Sequence, residues 1–80
     1  MKKWKVTFTV TNHLHEVRLT EIKIYKKEYY AKTAIARHLY KMFTIGNDSF
    51  EIRRWPGEIN VVRHVFKGPD IRYKWTIEEL

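Results

Sequence analysis

Between residues 26 and 43 the chain reads KKEYYAKTAIARHLYKMF, and its apolar residues recur every three to four positions. At about 100° per residue, one arc of about 120° contains Ala31, Ile35, Leu39, Met42 and Phe43. This spacing predicts an amphipathic helix that packs one stripe of side chains on a core. Gly46 follows the stripe and is expected at the C′ position, where the helix ends.

The segments before this helix have the period of half-buried strands. Apolar residues alternate with Lys and Thr over residues 4–10, which predicts a first strand. A second alternating run covers residues 17–24 and slips at Thr20 and Glu21. The slip predicts a β-bulge at these two residues.

Three more strands are expected after the helix. The first of them begins at Phe50, the second covers residues 59–66 and the third covers residues 71–77. Turns are expected at residues 55–58 and 67–70. The predicted order is ββαβββ, a single helix packed on an antiparallel sheet in the α+β class. We expect residues 1–80 to form a single compact domain, and the element order also permits a β-grasp arrangement.

Composition excludes several classes of protein. Hydrophobic residues make up 44% of the chain and aromatic residues 15%, which is typical of a folded rather than a disordered domain. The absence of cysteine excludes disulfides, thiolate nucleophiles and cysteine zinc sites. No uncharged run approaches the roughly 18 residues that a membrane span needs, and polar residues interrupt the first strand where a signal peptide would be apolar. These features predict a cytoplasmic protein without membrane contact.

Positive charge is concentrated in the first part of the chain. Residues 1–47 contain ten Lys and Arg against three Asp and Glu, whereas residues 48–80 contain six against six. The formal net charge of +7 therefore belongs to the first hairpin and the helix. Such concentration favours a binding face for an anionic partner, because a scattered excess would serve only solubility.

The predicted outer face of the helix combines cations with tyrosines. Opposite the core stripe, the helical spacing places Lys26, Lys27, Tyr30, Arg37, Tyr40 and Lys41. Cations neutralise phosphates and tyrosines stack on bases, so this mixture favours nucleic-acid binding. The alternative is an ordinary solvated face. Lys26 and Lys27 would also stand at the positive end of the helix dipole, where either a bound anion or water would relieve the repulsion.

A second candidate site is the sequence Arg53, Arg54 and Trp55 before the predicted Pro-Gly turn. An arginine pair beside a tryptophan can hold a phosphate and stack, or anchor a protein contact. The alternative is a tryptophan packed in the core beside the turn.

The histidines do not predict a metal or catalytic site. His13 and His15 have spacing suited to a metal, but no cysteine or nearby carboxylate completes a ligand set, and we expect no metal or other cofactor. His38 and His64 are expected to be packed. A small ribonuclease would need a base, an acid and a phosphate clamp, for which the candidates are His64, Tyr73, Arg63 and Lys74. No sequence motif fixes their geometry, so we expect no enzymatic activity.

The sequence therefore favours a non-catalytic binding protein that engages nucleic acid or a nucleic-acid-processing protein. Small proteins without catalytic motifs are common among phage and mobile-element products, and this analogy in size favours the same class. The alternative is an anti-CRISPR-like or other host-takeover inhibitor that acts by protein contact, with its charge serving solubility. A homodimer through exposed aromatics or a sheet edge is a further possibility.

Overall fold

The computed structural model describes residues 2–43 and 49–80, and only the backbone of Phe43. One helix packs on a five-stranded antiparallel sheet, which confirms the α+β class and the ββαβββ order. Gly46, the predicted end of the helix, lies outside the described residues. The elements are β1 (Trp4–Thr11), β2 (Val17–Tyr25), α1 (Glu28–Phe43), β3 (Ser49–Trp55), β4 (Glu58–His64) and β5 (Ile71–Glu79).

The sheet has the strand order β2-β1-β5-β4-β3. The first and last strands are therefore neighbours within the sheet, paired from Trp4 with Glu79 to Thr11 with Arg72. A β-grasp sheet also places these two strands side by side but in parallel, whereas here they are antiparallel. The strands β2 and β3 form the two edges, and α1 follows one edge strand and precedes the other.

The core lies between α1 and one face of the sheet. In the centre, the Phe8 and Trp75 rings lie 4.8 Å apart. The predicted helix stripe is confirmed at Ala31, Ile35 and Leu39, which are buried, and at Met42, which is partly buried against them. Among the side chains that the structure describes, Val6 and Val61 are also buried. The helix lies over β1, β2 and β5, and no described residue forms a helix on the opposite face, which we call the face without a helix.

The helix begins at Glu28 and not at Lys26 as predicted. The backbone N–H groups of Tyr30 and Ala31 donate to the carbonyl oxygen of Lys27 at 3.1 and 3.3 Å, which makes Lys27 the N-cap residue. Glu28 stands in the first turn, where a negative charge is favourable. Lys26 and Lys27 therefore precede the helix and do not lie on its outer face.

The bulge in β2 lies at Arg18 and not at Thr20 and Glu21. Val10 pairs with Leu19 while Thr11 pairs with Val17, so Arg18 is the extra residue. The break in the alternation of apolar residues at residue 20 has another cause. Leu19 is opposite Val10 on the helix face, whereas Ile22 is opposite Thr7 on the sheet face without a helix. The hydrophobic residues of β2 are thus divided between the two faces of the sheet.

The turn at Pro56 and Gly57 is confirmed. Gly57 has a φ of +76°, which a residue with a side chain rarely adopts, and its carbonyl oxygen accepts a 2.9 Å hydrogen bond from the Ile77 N–H. The other predicted turn begins earlier than expected, because the Gly68 N–H donates to Val65 and β4 ends at His64.

Candidate functional site

A basic groove of about 360 Å³ lies between α1 and the edge strand β2. Lys23 contributes one cation from β2, where it is opposite Val6 and therefore faces the helix. Arg37 and Lys41 contribute two more from α1, and Glu21 is the one carboxylate among the residues described as lining the groove. Arg37 and Lys41 were predicted from helical spacing, whereas Lys23 was not, because the sequence pattern does not determine which face of β2 meets the helix.

His38 lines the same groove and is held by the core. The Trp75 Nε1–H donates a 3.1 Å hydrogen bond to His38 Nδ1, and the Phe8 ring centroid lies 4.5 Å from the His38 ring. Burial lowers the pKa of His38, an effect that Lys23 and Lys41 increase and Glu21 opposes. The neutral ring accepts at Nδ1 and so carries its proton on Nε2. The predicted packing of His38 is confirmed.

We expect the free energy of unfolding to fall as the pH is lowered below about 6.5, the ordinary histidine pKa. The unfolded chain binds a proton at residue 38 more readily than the folded chain, so acid favours unfolding until the lowered folded pKa is passed. Urea unfolding at several pH values measures this. In the control His38→Asn, an amide oxygen can replace Nδ1 as acceptor without titrating, and the pH dependence should be shallower. Equal slopes in the two proteins would contradict the role of His38.

The outer surface of α1 carries a shallow concavity beside the basic groove, lined by Thr33, Ala36, Arg37, Tyr40 and Lys41. Arg37 and Lys41 line both depressions. The Tyr40 side chain is 71% exposed. We call Lys23, Arg37, Tyr40 and Lys41 together the basic face. Three of these four residues were predicted from the sequence.

The remaining predicted residues of the helical region form a separate cluster at the start of α1. The Lys27 Nζ lies 5.7 Å from the centre of the Tyr30 ring, which is a cation–π contact. The Tyr29 and Tyr30 rings meet edge to face at 6.2 Å. Ten residues separate Tyr30 from Tyr40, or about 15 Å along the helix axis. Tyr29 was not among the predicted site residues, although it is one of the most exposed aromatic residues in the described part of the chain.

The predicted Arg53, Arg54 and Trp55 site is divided by the sheet. Side chains alternate along a strand, and the register places Arg53 and Trp55 on the face without a helix and Arg54 on the helix face. The Arg53 guanidinium is also paired with Glu51 at 3.2 Å. Trp55 is 49% exposed, so the alternative of a core tryptophan is wrong.

An apolar groove of about 570 Å³ separates α1 from the β3–β4 turn. Arg54 lines it from the helix face of the sheet, and Trp55 lines both this groove and a depression on the other face that includes Arg53. Tyr40 also lines it and therefore lies between this groove and the basic face. Much of the lining is aliphatic or aromatic and includes Leu39, Ile59 and Ile77.

His64 is exposed, so its predicted packing is wrong. Its Nδ1 lies 3.1 Å from Asp70 Oδ1 and its Nε2 lies 3.8 Å from Glu51 Oε2, on the face without a helix. The register places Arg63 and Tyr73 on the helix face of the sheet. Lys74 is adjacent to Tyr73 in β5 and therefore lies on the face without a helix, as His64 does. The four residues considered for a ribonuclease therefore do not converge.

Two further properties concern residues 2–43 and 49–80. No three His, Asp or Glu side chains in these ranges are grouped so that they could hold a metal ion. The same ranges contain no helix with the length and apolar character needed to span a membrane.

No protein-family model, curated protein or solved structure matches the chain.

Proposed function

We propose that this chain is a non-catalytic cytoplasmic protein that binds nucleic acid through the basic face. The observation that supports this most directly is the position of Arg37 and Lys41. Both line the groove that also holds Lys23 and the neighbouring concavity that holds Tyr40. Cations for a phosphate backbone and an exposed ring for a base therefore adjoin one another.

The ratio of cations to carboxylates favours the basic groove over the opposite sheet face. On that opposite face, Lys74 is paired with Glu58 at 3.0 Å and Arg53 with Glu51 at 3.2 Å. In the basic groove, three cations face one described carboxylate. An anionic polymer therefore gains more from the helix side.

The proposed binding is independent of nucleotide sequence. Phosphates lie along the groove against Lys23, Arg37 and Lys41, while one base stacks on Tyr40, a contact worth roughly 1–3 kcal/mol. Lys26 and Lys27 extend the positive surface toward the start of α1. Both DNA and RNA present the required phosphates and bases.

Binding should weaken steeply with salt, because each neutralised phosphate releases condensed counterions. For about five phosphate contacts we expect the slope of log K against log salt to be roughly −4 to −5 on duplex DNA and roughly −3 to −4 on a single strand. Fluorescence anisotropy of a labelled oligonucleotide measures both. Tyr40→Phe should retain the affinity and Tyr40→Ala should lose roughly fivefold to 100-fold, corresponding to the stacking energy. A flat salt response, or no binding near 50 mM salt, would overturn the proposal.

A protein target is the second candidate, and the apolar groove favours it. The groove has room for an apolar side chain of a partner, with the half-exposed Trp55 at its border. An inhibitor of the phage or anti-CRISPR kind would use such a contact on a nucleic-acid-processing protein. In this case Trp55→Ala should raise the dissociation rate from the target with little change in salt dependence.

A further inference from the structure

The outer side of the edge strand β2 has no strand partner among the described residues. On its other side, eight of its nine residues pair with β1, and Arg18 is the bulged residue between them. Ile22 is 55% exposed and Ile24 is 51% exposed, both on the sheet face without a helix. An open strand with exposed branched side chains and no proline is a template for a further strand.

We propose that a second copy of this chain occupies this edge. The two β2 strands pair antiparallel across a two-fold axis perpendicular to the sheet, and the two five-stranded sheets become one continuous sheet of ten strands. A two-fold interface of this kind requires a strand that is complementary to itself. The sequence of β2 meets this requirement when the axis lies at Ile22.

Only some registers keep the helices of both copies on the same side of the sheet. In these, a residue of β2 faces its own counterpart at the axis, because opposite residues of an antiparallel pair share a face. An axis at Glu21 places two carboxylates opposite each other, and an axis at Lys23 places two ammonium groups opposite each other. An axis at Ile22, between them, avoids both repulsions.

With the axis at Ile22, the pairing is complementary on both faces. On the helix side, Glu21 is opposite the partner's Lys23, and Lys23 is opposite the partner's Glu21. On the other side, Ile22 meets the partner's Ile22, and Thr20 meets the partner's Ile24. Opposite charges and branched side chains directly across an antiparallel pair both stabilise it.

This interface shares Glu21 and Lys23 with the basic groove. It is therefore tested without nucleic acid, so that its failure is distinguished from failure of nucleic-acid binding. Sedimentation equilibrium of the nuclease-treated protein should show a monomer–dimer equilibrium. Glu21→Lys should raise the dissociation constant about tenfold or more, because each introduced lysine is opposite the partner's Lys23. The double variant Glu21→Lys/Lys23→Glu restores opposite charges at the parent's net charge and should restore the dimer. Glu78→Lys, the same charge change on the inner strand β5, is the matched control and should leave the dimer intact.

A cross-linking experiment tests the register itself, and the absence of native cysteine makes it unambiguous. In Ile22→Cys the two introduced thiols are opposite each other, and oxidation should give a covalent dimer. In Thr20→Cys they are four residues apart, about 13 Å along the strand, and no such dimer should form. The proposal is overturned by a parent monomeric at millimolar concentration, by a folded Glu21→Lys that dimerises as the parent does, by a folded double variant that stays monomeric, or by preferential cross-linking at position 20.

Discussion

Replacing Arg37 and Lys41 together by glutamate should weaken nucleic-acid binding by roughly two orders of magnitude or more at low salt. The change removes two of about five phosphate contacts and adds two negative charges beside Glu21, so Lys23 is left as the one cation of the basic face. The salt slope should become shallower by about two units, since each lost contact removes about 0.9 on duplex DNA. Anisotropy titrations across a range of salt concentrations measure both quantities.

A control with the same charge change separates the basic face from net charge. Lys67→Glu/Arg72→Glu alters a turn residue and an exposed residue of β5 on the sheet face without a helix. It should lower affinity much less than the reversal at Arg37 and Lys41. If the two double variants weaken binding equally, charge acts without regard to position. If Trp55→Ala weakens binding to a protein target and neither double variant does, the apolar groove is the binding site and the protein-target alternative holds.

Trp75→Ala should lower the free energy of unfolding by about 3–5 kcal/mol, the usual cost of removing a large core aromatic. Trp75 is 1% exposed, lies against Phe8 and donates its indole N–H to His38. A small domain has a total stability of about 5–15 kcal/mol, so this variant should be only marginally folded. Urea unfolding followed by far-ultraviolet circular dichroism measures the loss without relying on tryptophan fluorescence.

Two comparison variants divide this effect into its causes. Trp75→Phe retains a ring in the core but leaves His38 Nδ1 without its donor, which should cost about 1–3 kcal/mol. Trp55→Ala removes a half-exposed ring of the same type and should cost less than Trp75→Ala. Equal losses for Trp75→Ala and Trp55→Ala would show that the core is not centred where the structure places it.

Much of the fold follows from periodicity in the sequence. The alternation in β1 and β5 and the stripe containing Ala31, Ile35 and Leu39 are signals of local geometry. The two strands formed where they were predicted, and the helix formed with the predicted stripe but begins two residues later. The bulge was misplaced because the break in alternation between Leu19 and Ile22 was taken as an extra residue, whereas these two residues lie on different faces of the sheet. No local pattern distinguishes an apolar residue in the core from one on an uncovered face, since that depends on where the helix lies.

The candidate site was only partly predictable for the same reason. Arg37, Tyr40 and Lys41 share a helix face, and helical spacing alone brought them together. Lys23 joins them only through the packing of α1 beside β2, which is a tertiary contact. Arg53, Arg54 and Trp55 are consecutive on a strand, so the period of two already implied that they divide between the faces.

The place of β5 between β1 and β4 has a consequence for folding during synthesis. The β1–β2 hairpin forms from the first 25 residues, but β1 receives its other neighbour only from residues 71–79. Because chains are synthesised from the amino terminus, the inner edge of β1 has no hydrogen-bonding partner, and the Phe8 ring is not covered by Trp75, until the last strand has been made. The pairing of β1 with β5 joins residues that are about 60 to 75 positions apart in the sequence, and such long-range pairing slows folding. A ribosome-bound chain stalled before residue 71 should therefore be sensitive to proteases and prone to association.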